Sequence, residues 1–152
     1  MCLYKGTNKH KIAQEDIVCY KVIKRSKYNC VTFYVEHPIY SGIPIVPNGC
    51  MSVDEMDRRT ELFGQVVHAF QSDALPASYL IYIIEIIDIL NRRNTTYDLA
   101  LMECIIPKGT VYYENICNDL SNLSDGIPQY GATKIIPVKI VRYYTHFVSE
   151  YK

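Results

Sequence analysis

PASYLIYIIEIIDILNRR, running from Pro76 to Arg93, is the clearest helical stretch in the chain. Pro76 suits a first helical turn, where its missing amide hydrogen has no partner to lose, and Ser72 or Asp73 stands where a cap is needed. Leu80, Ile83, Ile84, Ile87 and Leu90 fall on one face at i, i+3, i+4 spacing. Glu85, Asp88 and Arg92 form a polar stripe in which Asp88 and Arg92 are spaced to pair. The stripe and the limited length exclude a membrane span. Isoleucine loses side-chain freedom in a helix, so a helix this rich in it is expected to be buried over most of its circumference against a sheet.

Working outward from this helix, the flanking segments supply that sheet. Before it, LFGQVVHAFQS (Leu62 to Ser72) places Val67 and Ala69 on one strand face and Val66, His68 and Phe70 on the other. Both faces are mostly apolar, which marks a central strand. Ser52 and Glu55 have capping-box spacing and predict a short helix over about 53–60. Three prolines and two glycines make Pro38 to Cys50 an irregular loop. Further back, DIVCYKVIK and VTFYVEHPIY read as a strand pair. After the helix, TYDLALMECIIP, a Pro107-Lys108-Gly109-Thr110 turn and VYYE predict a hairpin. Asn115 to Tyr130 reads as a polar connection, and the last strand, Thr133 to Phe147, carries a Pro137 that belongs at an edge or a bulge. The expected class is α+β: a small mixed or antiparallel sheet packed against one main helix (about 76–93) with a short second helix (about 53–60), in a single domain over 1–152.

Composition narrows the function classes. Sixteen Lys and Arg balance sixteen Asp and Glu, so no net field draws in nucleic acid or an anionic membrane. The six cysteines form no C-x-x-C pair, and no histidine stands at zinc-finger spacing from them, so no metal site is expected. The first residues are polar rather than a basic tip before an apolar run, which predicts reduced thiols in a cytoplasm, with Cys19 and Cys104 buried as small hydrophobes.

A few residues are candidates for chemistry. Cys2 follows the initiator Met, and removal of that Met exposes a thiol beside its own α-amino base. His68 sits in an apolar strand just before the main helix, where an imidazole serves as a base, as a ligand-binding group or as a satisfied core residue. His10, His37 and His146 are expected in solvent. Among fourteen tyrosines, Tyr112, Tyr113 and Tyr130 are the candidate lining of a binding cleft, with Lys108 and Thr133 beside them.

His68-Ala69-Phe70, then the helix, then Glu103-Cys104-Ile105-Ile106-Pro107-Lys108-Gly109-Thr110-Val111-Tyr112-Tyr113, and last Tyr130-Gly131-Ala132-Thr133-Lys134-Ile135, together with the Met-Cys-Leu start, resemble a group of small proteins of bacteriophages, prophages and mobile elements of gut bacteria. The group carries H-x-F, a helix, I-P-K-G-T-x-Y-Y and Y-A-S-x-K-I in that order. Gly131-Ala132-Thr133 departs from its A-S pair and leaves a hydroxyl at Thr133. The resemblance implies a setting rather than a mechanism. A strand ending in I-P-K-G-T is also similar to the late strands of ADP-ribosyltransferases, where bound NAD sits against a split sheet. The E-x-E or Q-x-E pair and the strand-opening arginine with S-T-S downstream are missing here, so that likeness is analogy.

The functional expectation is a small non-enzymatic binding or interaction protein of mobile-element origin, with no cofactor, no membrane partner, and a ligand or protein partner that the sequence does not name. The alternative is a small enzyme or nucleotide-binding protein with a cleft near His68 or a Cys2 nucleophile.

Overall fold

The computed structural model describes residues 5, 8–25, 30–32, 38–62, 64–81, 83, 85, 98–116 and 127–144. In chain order the elements are β1 (Lys11–Ile12), β2 (Ile17–Arg25), β3 (Cys30–Thr32), α1 (Val53–Arg58), β4 (Val67–Phe70), β5 (Asp98–Ile106), β6 (Val111–Ile116), β7 (Gln129–Ala132) and β8 (Ile136–Tyr143). They form one eight-stranded sheet in the order β1-β6-β7-β4-β2-β5-β8, with β3 paired to β2 off this path. Every pairing between these strands is antiparallel.

This corrects the expected class. The fold is mostly β, and it is not a sheet packed against a main helix. Helical residues among those described are α1 and positions 77–81, 83 and 85. Ile84, Ile87 and Leu90, on which the apolar helix face was read, lie outside the described residues. The physical reason is that strands supply most of the burial. The larger core cluster joins Cys19 and Ile23 of β2, Ala69 of β4, Ala100, Met102, Cys104 and Ile106 of β5, Tyr112 of β6 and Ala132 of β7. Loop residues Ala13, Ile39 and Ile135 close it, and no residue of the Pro76 to Arg93 stretch takes part among those described. That stretch contributes Ile83 to a smaller cluster with Val22, Phe70, Leu99, Leu101 and Tyr144, where the Tyr79 ring meets Phe70 edge-on at 5.1 Å.

The backbone of the sheet is the β2–β5 ladder, nine residues in unbroken register from Ile17↔Ile106 to Arg25↔Asp98. Apolar side chains on alternate positions of both strands reach both clusters, which is why neither strand shows a polar face. α1 begins at Ser52, whose hydroxyl accepts from the Glu55 amide at 3.2 Å, and carries Asp54 and Glu55 in its first turn, where the helix dipole favours acids. It ends two residues short of the expected Thr60. Its Met56 joins Leu62, Val66 and Tyr113 in a third cluster.

Two strand expectations are met and one is corrected. β4 is internal, between β7 and β2. The Pro137 strand ends the sheet and carries two bulges, at Val138 and Val141, where β5 skips a partner. Against that edge, the Gly42 amide bonds Pro137 O, the Ser41 hydroxyl bonds Val138 O, and Ile45 bridges Ile135. The hairpin expected across Pro107 to Thr110 does not form. The turn is there, with Gly109 at φ +86° and the Thr110 amide on Pro107 O, but β5 and β6 go to different neighbours. Ala13 takes the turn's backbone groups, Gly109 N–H and Thr110 O, and Asp16 accepts from the Lys108 amide at 2.9 Å. β6 therefore leaves β5 and pairs with β1 and β7.

Among the described residues no helix is long and apolar enough to cross a membrane.

Candidate functional site

The two halves of the sheet meet weakly. β2 and β4 share one register pair, Tyr20↔Phe70. Had the ladder continued, Lys21 would oppose Ala69 and Val22 would oppose His68. Instead the Lys21 ammonium donates to the His68 carbonyl at 2.9 Å, replacing a backbone bond with a side-chain one. Lys21 reaches this place because β2 alternation puts it between Cys19 and Ile23, on the face of the larger core cluster.

Lys21 and His68 are both half-buried. Burial lowers the pKa of the Lys21 ammonium, and the neighbouring thiols of Cys104 and Cys19 oppose that only in part. Burial, with the Lys21 charge beside it, lowers His68 to about 3, so the imidazole is neutral at physiological pH. Neither group is bonded to a carboxylate among the described residues. Cys19 and Cys104 face each other across β2 and β5, both fully buried. Burial raises the Cys19 thiol and pushes Cys104 up to about 12, so neither is a nucleophile at neutral pH.

The tyrosines divide. Tyr112 and Tyr130 lie on adjacent strands with rings edge-on at 5.9 Å, and burial raises the Tyr130 phenol. Tyr113 points the other way, fully buried in the α1 cluster. Lys108 lies in the turn before β6 and is exposed, and the Thr133 hydroxyl donates to Val111 O at 3.2 Å. These five residues thus do not line one cleft. Cys2 lies outside the described residues.

A second constellation was not read from the sequence. His10, expected in solvent, is held by Asp57 of α1: its Nδ1 lies 2.8 Å from Oδ2 and its backbone amide donates to Oδ1 at 3.0 Å. Tyr113 also donates to Oδ1, at 2.7 Å. The buried Lys5 ammonium donates to Asn8 O and Asp57 O and lies 5.5 Å from the Tyr113 ring centre. Burial alone would raise the Asp57 carboxyl, but hydrogen bonds from Tyr113 and His10 and the His10 charge bring it down to about 2. Beside this network lies a cavity of about 340 Å³ lined by Asn8, Lys9, His10, Lys11 and Glu114, with Lys11 and Glu114 paired at 2.6 Å. The residues are separated by up to 106 positions, and nothing local in the sequence links them. The cue available was Asp57 itself, an acid in the second half of α1 whose partner no pattern named.

No protein-family model, curated protein or solved structure matches the chain.

Proposed function

We propose that the protein is a small binding protein that takes a phosphate-bearing ligand, such as a nucleotide, where β2 and β4 part. The observation that carries this is the Lys21 ammonium, which donates to the His68 main-chain carbonyl where the strands part and is bonded to no carboxylate among the described residues. A half-buried ammonium that meets a single carbonyl among the described residues gains from an anion, which restores the solvation that burial removed. Binding rather than catalysis is the better reading, because an imidazole held neutral down to about pH 3 is a weak base and the adjacent thiols are protonated. The resemblance to phage and prophage proteins supports a mobile-element setting for such a protein.

The test is a melting panel with adenosine diphosphate, NAD and a short oligonucleotide. A ligand present at about a hundredfold its dissociation constant stabilises the native state by about 2.7 kcal/mol, a rise of roughly 5–10 °C for a chain of this size. At least one nucleotide should raise the melting point of the wild type and not that of Lys21→Met. No shift with any of them, or an equal shift in the variant, rejects the reading.

A further inference from the structure

The cavity beside His10 is independent of the β2–β4 opening, and its geometry points to a ligand class of its own. We propose that it binds a small hydroxylated phosphomonoester of the sugar-phosphate kind, with the phosphate on His10 Nε2 and Lys9 and the hydroxyl groups on Asn8 and Glu114.

The imidazole is the fixed point. Asp57 is ionised and holds both the ring and the backbone of residue 10, so Nδ1 carries the proton toward the carboxylate. Nε2 is then the nitrogen left for a ligand, on a ring that lines the cavity and whose orientation is set in advance. Tyr113 and Lys5 hold Asp57 in turn: the phenol bonds Oδ1, and the ammonium bonds the residue's carbonyl. This is a built arrangement, with a core tyrosine behind an acid behind a histidine that faces a cavity.

Charge selects an anion. Lys11 and Glu114 neutralise each other. Lys9 adds a positive charge at the cavity wall, and Asp57 is shared between His10 and the nearby Lys5. The hydroxyl of a monoprotonated phosphate donates to Nε2, while its remaining oxygens accept from the Lys9 ammonium and Asp57 holds the ring from behind.

Volume and lining select the rest of the molecule. About 340 Å³ lies within the range of small-molecule sites and exceeds what a bare phosphate fills. Every lining residue carries a polar or charged group, and the His10 imidazole is the one ring among them. Such a wall rewards hydroxyl groups, which the Asn8 amide and the Glu114 carboxylate recognise by hydrogen bonds.

The experiment is titration calorimetry of the whole chain with ribose 5-phosphate, alongside ribose, inorganic phosphate and phenyl phosphate. Ribose 5-phosphate should bind saturably and more tightly than the other three. His10→Gln and Lys9→Ala, both at half-buried or exposed positions and checked for an unchanged melting transition, should each weaken it by about tenfold or more, the loss expected for a hydrogen bond to a charged group. Lys21→Met should leave it unchanged, which separates this site from the β2–β4 opening. The proposal fails if ribose 5-phosphate does not bind, if His10→Gln binds it as well as the wild type, if phenyl phosphate binds more tightly, or if Lys21→Met abolishes binding.

Discussion

The Tyr113 phenol donates a 2.7 Å hydrogen bond to Asp57 Oδ1, so a side chain from the core beneath β6 holds an acid on α1. Burial and the bond to the Asp57 carboxylate raise the phenol's own pKa, which keeps it a donor at neutral pH. Tyr113→Phe keeps the ring packing and removes one bond to a carboxylate. It is expected to cost about 1.5–3 kcal/mol, read as a lower denaturant midpoint with an unchanged slope.

The same acid sets an acid limb. Its folded pKa, about 2, lies below the ordinary 3.8, so its contribution is complete above about pH 3.8 and is lost as pH falls toward 2. Asp57→Asn should lower stability at neutral pH and flatten the stability curve in that window. A curve parallel to wild type between pH 4 and 2 would show that Asp57 carries no such linkage.

His68 acts over a higher window. Its folded pKa, about 3, lies far below the ordinary 6.5, so the unfolded chain binds the proton first on acidification. The stability it confers is fully present above pH 6.5 and declines as pH falls toward 3, by up to about 1.4 kcal/mol per pH unit. His68→Gln should remove that part of the slope. Equal slopes for the two proteins between pH 6.5 and 4 would place the imidazole in water.

Thiol chemistry should follow burial. Cys50 is exposed, whereas Cys19 and Cys104 are sealed in the larger core cluster with raised pKa values. Iodoacetamide on the native protein at pH 8 is expected to label Cys50 and spare Cys19 and Cys104, with all three labelled in denaturant. Native labelling of Cys104 would mean that the β2–β5 ladder opens.

Gly109 turns at φ +86° with open space where a Cβ would sit, so only the backbone opposes a side chain there. Gly109→Ala should cost about 1–2 kcal/mol through that conformation alone, measured by thermal melting. A neutral result would mean that the corner relaxes without releasing Ala13.

Strand positions were legible because they depend on local signals. The β-branched runs around Val22, Val67 and Ile105 gave strands, Ser52 gave the helix cap, and Pro137 gave the edge. The class was misjudged because helical spacing from Leu80 to Leu90 says that a helix is amphipathic and does not say how much of the core it closes. β7 was hidden by its composition: Gln129, Tyr130 and Gly131 look like a loop, and β4 and β6 make them a strand by pairing on both sides. The hairpin at Pro107 failed for a similar reason, since the groups that redirect β6 belong to Ala13 and Asp16, far away in sequence. His68 was visible as a candidate and Lys21 was not, because its approach to the His68 carbonyl depends on a ladder that stops after Tyr20↔Phe70. The His10 network was invisible, because an acid, a histidine and a tyrosine from three distant segments carry no shared spacing.

The bulged last strand has a consequence for the chain in a crowded solution. An unpaired strand is a template on which a second chain can crystallise its own backbone, and a sheet that offers one long, flat margin can seed fibres. Here Pro137 withholds a donor, Val138 and Val141 break the straight line that a copying strand needs, Lys139 places a charge in its way, and the loop at Ser41 and Gly42 already holds two of the carbonyls. The opposite margin, β1, is two residues long. A sheet bounded in this way offers a second chain little straight margin to copy at either end of the described strands.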